Sequence, residues 1–175
     1  MKRFVLGVIV GVLLVFVGGF AYLATGMAPV ATSAPAMPFE KRIAKMAQEA
    51  RIEKEMPKDT PVPANETTYM SGAMVYNDNC AQCHGVPGQK DAPVYAKGMY
   101  PRPPQLFRGK GVTDDPPGET YWKVANGIRL TGMPSFTGSL SDNEMWQVSV
   151  LLANADKASD ASKSMITAPA KPAGH

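Results

Sequence analysis

The sequence predicts an all-helical protein that begins with one apolar helix, and three patterns support this fold class. The first is an uncharged run of 20 residues over 4–23. The second is the helical spacing of apolar side chains over 39–56. The third is a capping box at Ser141 and Glu144, which begins a helix near residue 142. With 175 residues and a net charge of +3, the chain holds one small domain with appendages and no segment basic enough for nucleic acid.

Residues 1–26 are predicted to form a single-pass transmembrane anchor or an uncleaved signal. At about 1.5 Å per residue, the apolar run spans roughly 30 Å, which is the thickness of the hydrocarbon core of a bilayer. Lys2 and Arg3 keep the N-terminus cytoplasmic, so the rest of the chain is expected on the periplasmic face of a bacterial inner membrane. A cleaved signal peptide is the alternative, with Ala34-Pro35-Ala36 as its cut site, although such peptides normally have a shorter apolar region.

Residues 27–64 are predicted to be a proline-rich linker that contains an amphipathic helix over 39–56. Its apolar stripe consists of Phe39, Ile43, Met46, Ala47 and Ala50. The stripe is expected to cover the protein's own domain, a membrane surface or a partner subunit, and the sequence leaves these three open. The folded domain is predicted over 65–155. Residues 156–175 are rich in Ala, Ser, Lys and Pro and are predicted to be a disordered tail.

The chemistry of the chain is predicted at a C-x-x-C-H unit formed by Cys80, Cys83 and His84. The chain has only two cysteines, and both belong to this unit. C-x-x-C-H is the attachment signature of c-type haem, in which the thiols form thioethers with the haem vinyl groups and the imidazole binds the iron. Residues three apart share one face of a helical turn, which places both sulfurs along one edge of the porphyrin. One covalent haem c is therefore expected, with His84 as an iron ligand.

Two other interpretations of these residues are weaker. A structural zinc site needs four ligands, and beyond the C-x-x-C-H unit the chain offers only His175 as a further histidine. A thioredoxin-like dithiol would follow a strand in a βαβ pattern, whereas residues 67–79 are predicted to be helical.

The second axial ligand is predicted to be Met133. Most of the 11 methionines lie in the spacer or on predicted helices, where packing explains them. Met133 instead lies in a loop without periodicity, where Gly132 allows close backbone approach and Pro134 stiffens the chain. Met99 is the rival loop methionine. Two filled axial positions would leave no open site for a substrate, which favours an electron carrier over an enzyme.

Residues 65–155 resemble the small single-haem class I cytochromes c. The resemblance rests on CAQCHG, on YWKVANGIRLTGMPSF and on the LSDNEMWQVSVLL that follows. It implies a fold in which the first and last helices cross beside a covalent haem. Gly72 and Tyr76 would lie at the crossing, with Val148 and Leu151 facing them from the last helix.

The resemblance also implies two contacts around the haem. The carbonyl of Pro104 would hold the free N–H of His84, and Leu106 would lie on the haem ring. From the residues alone, Tyr121 and Trp122 lie on a helix over about 116–127 beside the haem pocket. They are expected either to pack in the core or to hydrogen-bond the haem propionates, which makes Trp122 a candidate cofactor contact.

Together these features predict a membrane-tethered monohaem cytochrome c that transfers one electron at a time and is not itself an enzyme. Its partner is expected to be a redox protein or a respiratory or photosynthetic membrane complex, which it serves as a diffusing donor or an integral subunit. Neither nucleic acid nor a small-molecule substrate is expected. The alternative is a haem enzyme or gas sensor with an open distal site, for which the chain offers no distal histidine.

Overall fold

The computed structural model describes residues 1–167, and every regular element in that part of the chain is a helix. The helices are α1 (Lys2–Ala24), α2 (Glu40–Glu55), α3 (Glu66–Asn79), α4 (Ala81–His84), α5 (Val94–Gly98), α6 (Pro117–Asn126), α7 (Asp142–Ala153) and α8 (Asp160–Ser164). The all-helical prediction is therefore confirmed. The chain divides into two compact units, of which the first is Met1–Lys41 and the second begins at Arg42.

The first unit is dominated by α1, a helix of 23 residues with no buried side chain. The helix is long and apolar enough to cross a membrane by length and composition, and it is a candidate membrane span near the N-terminus. It coincides with the uncharged run from which an anchor was predicted. Crossing of a membrane by this helix stays a prediction.

Helix α2 lies within the segment predicted to be an amphipathic helix, but its predicted apolar stripe is not buried. Ile43 and Met46 are 59% and 63% exposed, whereas Ile52 is 3% exposed. Nine positions separate Ile52 from Ile43, which places them on opposite faces of the helix. Just after the helix, the carbonyl oxygen of Pro57 lies 2.0 Å from where a side-chain Cβ on Gly118 would stand. The residues just after α2 therefore approach α6 at Gly118, and the buried face of α2 is the one opposite the stripe.

The core of the second unit is the crossing of α3 and α7. A Cβ on Gly72 would lie 2.4 Å from the carbonyl oxygen of Gln147 and 3.0 Å from Cβ of Leu151. The two backbones approach this closely because position 72 carries no side chain. Tyr76, Val148 and Leu151 are fully buried in the same cluster, as the resemblance implied.

Both crossing helices begin with a side-chain cap. Asn65 accepts a hydrogen bond from the backbone N–H of Thr68 at 3.0 Å. At α7, the N–H of Glu144 donates to Ser141 Oγ at 3.3 Å, and the N–H of Ser141 donates to Glu144 Oε2 at 2.7 Å. The capping box predicted for the last helix is therefore confirmed.

Replacing Ser141 by alanine is expected to destabilise the domain by about 1 kcal/mol, because one end of the reciprocal cap is lost. Urea unfolding followed by circular dichroism measures this change. Ser139→Ala is the matched control, since Ser139 Oγ only donates to the carbonyl of Phe136 in its own turn. Equal midpoints for the two variants would contradict a specific role for the cap.

The prediction of a disordered tail from residue 156 is wrong for the described residues 156–167. Helix α8 lies there, and Ala158, Ser162 and Ile166 are buried. Ser159 Oγ donates to the carboxylate of Glu66, at the start of α3. The segment is ordered because a few of its small and apolar side chains are packed against α3 and the core cluster. The polar composition of residues 156–167 did not indicate this contact. Residues 168–175 lie outside the described residues.

Candidate haem-binding site

The C-x-x-C-H unit lies on a single turn of helix directly after α3. Cys80 ends α3 and begins α4, and its carbonyl oxygen accepts from the N–H groups of Cys83 and His84 at 3.1 and 2.9 Å. Gly85, with φ of +75°, ends the turn in a backbone conformation that favours glycine. Both cysteines are free thiols. The structure therefore brings the two sulfurs and the imidazole onto one turn, as the sequence predicted.

The surroundings of the two thiols keep them protonated at neutral pH. Burial, with a smaller contribution from the neighbouring Cys83, raises the pKa of Cys80 to about 12. Burial also raises the pKa of the Cys83 thiol. A redox-active dithiol needs a lowered pKa and an accessible thiolate. The arrangement thus gives no support to the dithiol interpretation.

The imidazole of His84 is fixed by the carbonyl of Pro104. His84 Nδ1 lies 2.8 Å from Pro104 O. Since a carbonyl oxygen can only accept, this contact assigns the proton to Nδ1 and leaves the Nε2 lone pair available for a metal. Burial lowers the pKa of His84, against a smaller raising effect of the Pro104 bond, which favours the neutral imidazole that binds metals.

Further hydrogen bonds connect the Pro104–Leu106 segment to the turn. The N–H of Leu106 donates to the carbonyl of His84 at 3.3 Å, and the Gln105 amide donates to the carbonyl of Cys83 at 3.2 Å. Leu106 packs, partly buried, against the core cluster. Gln105 is a site residue that was not predicted, because the residue between Pro104 and Leu106 belongs to no motif in the sequence. The resemblance correctly placed the Pro104 carbonyl, whereas contact of Leu106 with a haem ring stays a prediction.

Tyr76 connects the turn to the α3–α7 crossing. Its hydroxyl donates to the carbonyl of Gly85 at 2.8 Å in a buried position. Burial raises the pKa of the Tyr76 hydroxyl strongly, so it remains a donor. Phe107 packs edge-on against the Tyr76 ring at 5.1 Å between centroids. The end of the C-x-x-C-H turn is therefore held by the most buried part of the domain.

The loop that carries Met133 is held against the end of α6. The N–H of Ile128 donates to the carbonyl of Met133 at 3.1 Å, and the N–H of Met133 donates to Thr131 Oγ1 at 3.1 Å. Gly127, with φ of +66°, lies so close that its Cβ would stand 2.6 Å from the backbone of Pro134 and 2.9 Å from the carbonyl oxygen of Met133. Met133 itself is partly buried against the core cluster. Met133 thus lies in a loop whose backbone is held by the end of α6 and by Thr131 of the loop itself.

Gly127→Ala is expected to displace the Met133 loop while the domain stays folded. The new methyl group would meet the backbone of Pro134, which cannot move independently of its neighbour Met133. Gly109→Ala is a matched control, because Gly109 has a similar φ of +64° with nothing within 4 Å of its Cβ position. We expect the haem-loaded Gly127 variant to lose visible absorption bands typical of methionine ligation, and the control to keep them. Identical spectra for the two variants would show that the close packing of Gly127 against Pro134 does not position Met133.

The rival methionine lies next to the same loop. Met99 Sδ is 3.0 Å from the position that a Cβ on Gly132 would occupy. Met99 is the residue that follows α5, and it is partly buried. The structure therefore places the Met99 thioether beside the loop that carries Met133.

Tyr121 and Trp122 have protein partners. Tyr121 stacks on Trp146 of α7 at 4.2 Å between ring centroids, and its hydroxyl donates to Asp142. Trp122 donates its indole N–H to Glu55 of α2 at 3.3 Å. The indole N–H of Trp122, which was a candidate donor to a haem propionate, therefore already has a partner in Glu55 of α2. Contact of Trp122 with a haem stays a prediction.

Comparison with known proteins identifies the domain. Residues 67–152 match the family model described as cytochrome C oxidase, cbb3-type, subunit III. This segment is a cytochrome c domain. A chain of the Kuenenia stuttgartiensis reducing HAO-like protein complex Kustc0457/Kustc0458 is 28% identical, with a TM-score of 0.45 over 57% of this chain and 51% of that chain. This chain therefore spans about half of that relative. The search of curated proteins found no match.

The residues of the cytochrome c domain fit a covalently bound haem. Two protonated thiols and a neutral imidazole lie on one turn, and the imidazole offers Nε2 because Nδ1 is engaged by Pro104. In residues 1–167, no three or more His, Cys, Asp or Glu side chains are grouped in a way that could hold a metal ion. His175, which the zinc interpretation would require as fourth ligand, lies outside the described residues. The donor set thus suits haem attachment through Cys80 and Cys83.

Proposed function

We propose that this protein is a membrane-tethered monohaem cytochrome c that carries one electron at a time between redox partners. The observation that carries the proposal is the 2.8 Å contact of His84 Nδ1 with Pro104 O beside two free thiols on the same turn. It orients a neutral imidazole for iron ligation at the one C-x-x-C-H unit of the chain.

Each residue of the site has a separate task in this proposal. Cys80 and Cys83 would hold the haem through thioether bonds, and His84 would bind its iron through Nε2. Met133 would supply the second iron ligand from its loop, and a methionine thioether favours the reduced state of the iron. The bound haem supplies a reversible one-electron couple. Pro104 positions the imidazole, while Leu106 and the surrounding apolar side chains exclude water.

A carrier is favoured over an enzyme because both axial positions would be filled by the chain. A substrate or gas then has no position at which to bind. No histidine besides His84 lies in the described residues, so they offer no distal histidine for a haem enzyme or sensor. The proposed protein therefore transfers electrons without transforming a small molecule.

The first helix and the family support the proposed location and the proposed kind of partner. Helix α1 is a candidate membrane span, and Lys2 and Arg3 favour a cytoplasmic N-terminus with the haem domain in the periplasm. The matching family is named for a subunit of an oxidase, which supports a role as a subunit of a redox complex of the membrane. A tether also raises the effective concentration of the carrier at such a complex.

Visible spectroscopy of the full chain tests the site. The protein is produced with the c-haem maturation machinery, solubilised in detergent, and measured oxidised and reduced, with and without carbon monoxide. We expect a low-spin spectrum with a weak far-red sulfur-to-iron band and no response to carbon monoxide. A high-spin or carbon monoxide-reactive iron would instead support the haem enzyme or gas sensor.

Purification from native membranes in a mild detergent tests the partner. A stoichiometric complex with other redox subunits is the result expected for an integral subunit. Recovery of the chain alone would instead support a tethered carrier that meets its partners transiently.

A further inference from the structure

The contact between Met99 and Gly132 joins α5 to the loop of the proposed axial ligand. The side chain of Met99 lies where a side chain at position 132 would stand, with Sδ, Cε and Cγ at 3.0, 3.2 and 3.7 Å from that Cβ position. Gly132 directly precedes Met133. The thioether of Met99 therefore packs against the backbone one residue before the proposed ligand.

The hydrogen bonds of this loop are made with α6 and within the loop itself, and none of those described is made with α5. Gly127 and Ile128 hold the loop from the end of α6, through the close approach at Pro134 and the bond to the carbonyl of Met133. Thr131 bonds only within the loop, to the carbonyl of Ile128 and to the N–H of Met133. Met99 approaches from α5, an element that neither of these sets of contacts includes.

We propose that Met99 is a positioning residue, whose side chain packs on Gly132 and keeps Met133 in place as the axial ligand. The inference rests on the proposed function, because it concerns the site at which Met133 would bind iron. Loosening this packing increases the fraction of molecules in which Met133 has left the iron, and an exogenous ligand binds that fraction. Met99 thus controls access to the distal side without itself binding the metal.

Three variants of the full, haem-loaded chain test the proposal: Met99→Ala, Met99→Leu and Met70→Ala. Met70 is a matched control, since it is 41% exposed on α3. The measurements are the far-red band of the oxidised protein, the rate of carbon monoxide binding to the reduced protein, and the urea midpoint. We expect Met99→Ala to weaken the band and to raise the carbon monoxide rate about tenfold, as for a tenfold larger open population. Met99→Leu should restore both, because leucine fills similar volume without sulfur.

A second perturbation approaches the contact from the other side. The methyl group of Gly132→Ala would compete with the Met99 thioether for the same space. It should raise the carbon monoxide rate as Met99→Ala does, and the double variant should show less than the product of the two single effects.

Each result either supports or overturns the proposal. An unchanged band and carbon monoxide rate in Met99→Ala, with a normal wild-type spectrum, would overturn the positioning role while leaving the carrier function intact. Failure of Met99→Leu to restore the band would overturn it too, because the sulfur and not the packing would then matter. A wild-type protein that already binds carbon monoxide would refute the proposed function itself.

Discussion

The Met133→Ala variant is expected to bind carbon monoxide readily in its reduced form and to lose the far-red band of the oxidised form. Alanine has no thioether to supply the proposed second ligand, so an exogenous ligand should find an open position on the iron. Loss of the thioether should also lower the midpoint potential, because methionine ligation favours the reduced iron. The domain should stay folded, since Met133 is only partly buried against the core cluster, whereas the residues at the α3–α7 crossing are fully buried without it. Spectroscopy with carbon monoxide titration and a redox titration measure these changes.

Met74→Ala is the control for the loss of a methionine elsewhere in the domain. Met74 is 53% exposed on α3, so its removal should leave the spectrum and the potential unchanged. A Met133→Ala protein that keeps a low-spin, carbon monoxide-inert iron would contradict ligation by Met133. Another residue would then have to occupy the position, and Met99, which packs on Gly132, is the first candidate to replace next.

Gly72→Ala is expected to lower the free energy of unfolding by about 3 kcal/mol, at the upper end of the usual cost of overpacking. The new methyl group would stand 2.4 Å from the carbonyl oxygen of Gln147, a backbone atom that moves only if α3 and α7 separate. Helix propensity acts in the opposite direction, since alanine favours a helix over glycine by about 1 kcal/mol. A net decrease in the free energy of unfolding would therefore measure the cost of the steric clash between α3 and α7 at their crossing. Urea unfolding of the haem-loaded protein measures it.

Gly98→Ala is the control for Gly72→Ala, because it measures the effect of adding a methyl group to a helix away from the crossing. Gly98 is the last residue of α5 and has nothing within 4 Å of its Cβ position. This variant should be as stable as the wild type or slightly more stable. If Gly72→Ala were equally stable, the close approach of the two backbones would not be a requirement of the fold.

Much of the helical framework could be predicted because its signals are local. The capping box of Ser141 and Glu144 lies within one turn of the helix that it begins. Cys80, Cys83 and His84 lie on one turn because their spacing matches the helical repeat. Helix α1 is visible as an uncharged run of sufficient length. None of these features depends on a residue distant in the chain.

The side-chain partners within the second unit were not visible in the same way. The apolar stripe of α2 suggested a packing surface, but the helix instead buries Ile52 on its opposite face. Glu55 bonds to Trp122, 67 positions away, and Glu66 to Ser159, 93 positions away. Neither contact produces a periodic pattern in the sequence, because each needs only one polar side chain from each of the two segments that it joins.

The sequence by itself determined the five longest helices and the haem chemistry implied by the C-x-x-C-H unit, since both depend on residue type and short spacing. Only the tertiary structure decided that the face with Ile52 is the buried face of α2, that residues 156–167 are ordered on α3, and that Met99 packs beside Gly132. The physical reason is that burial is non-directional and is satisfied by any complementary surface. The order of residues along the chain does not show which distant element supplies that surface.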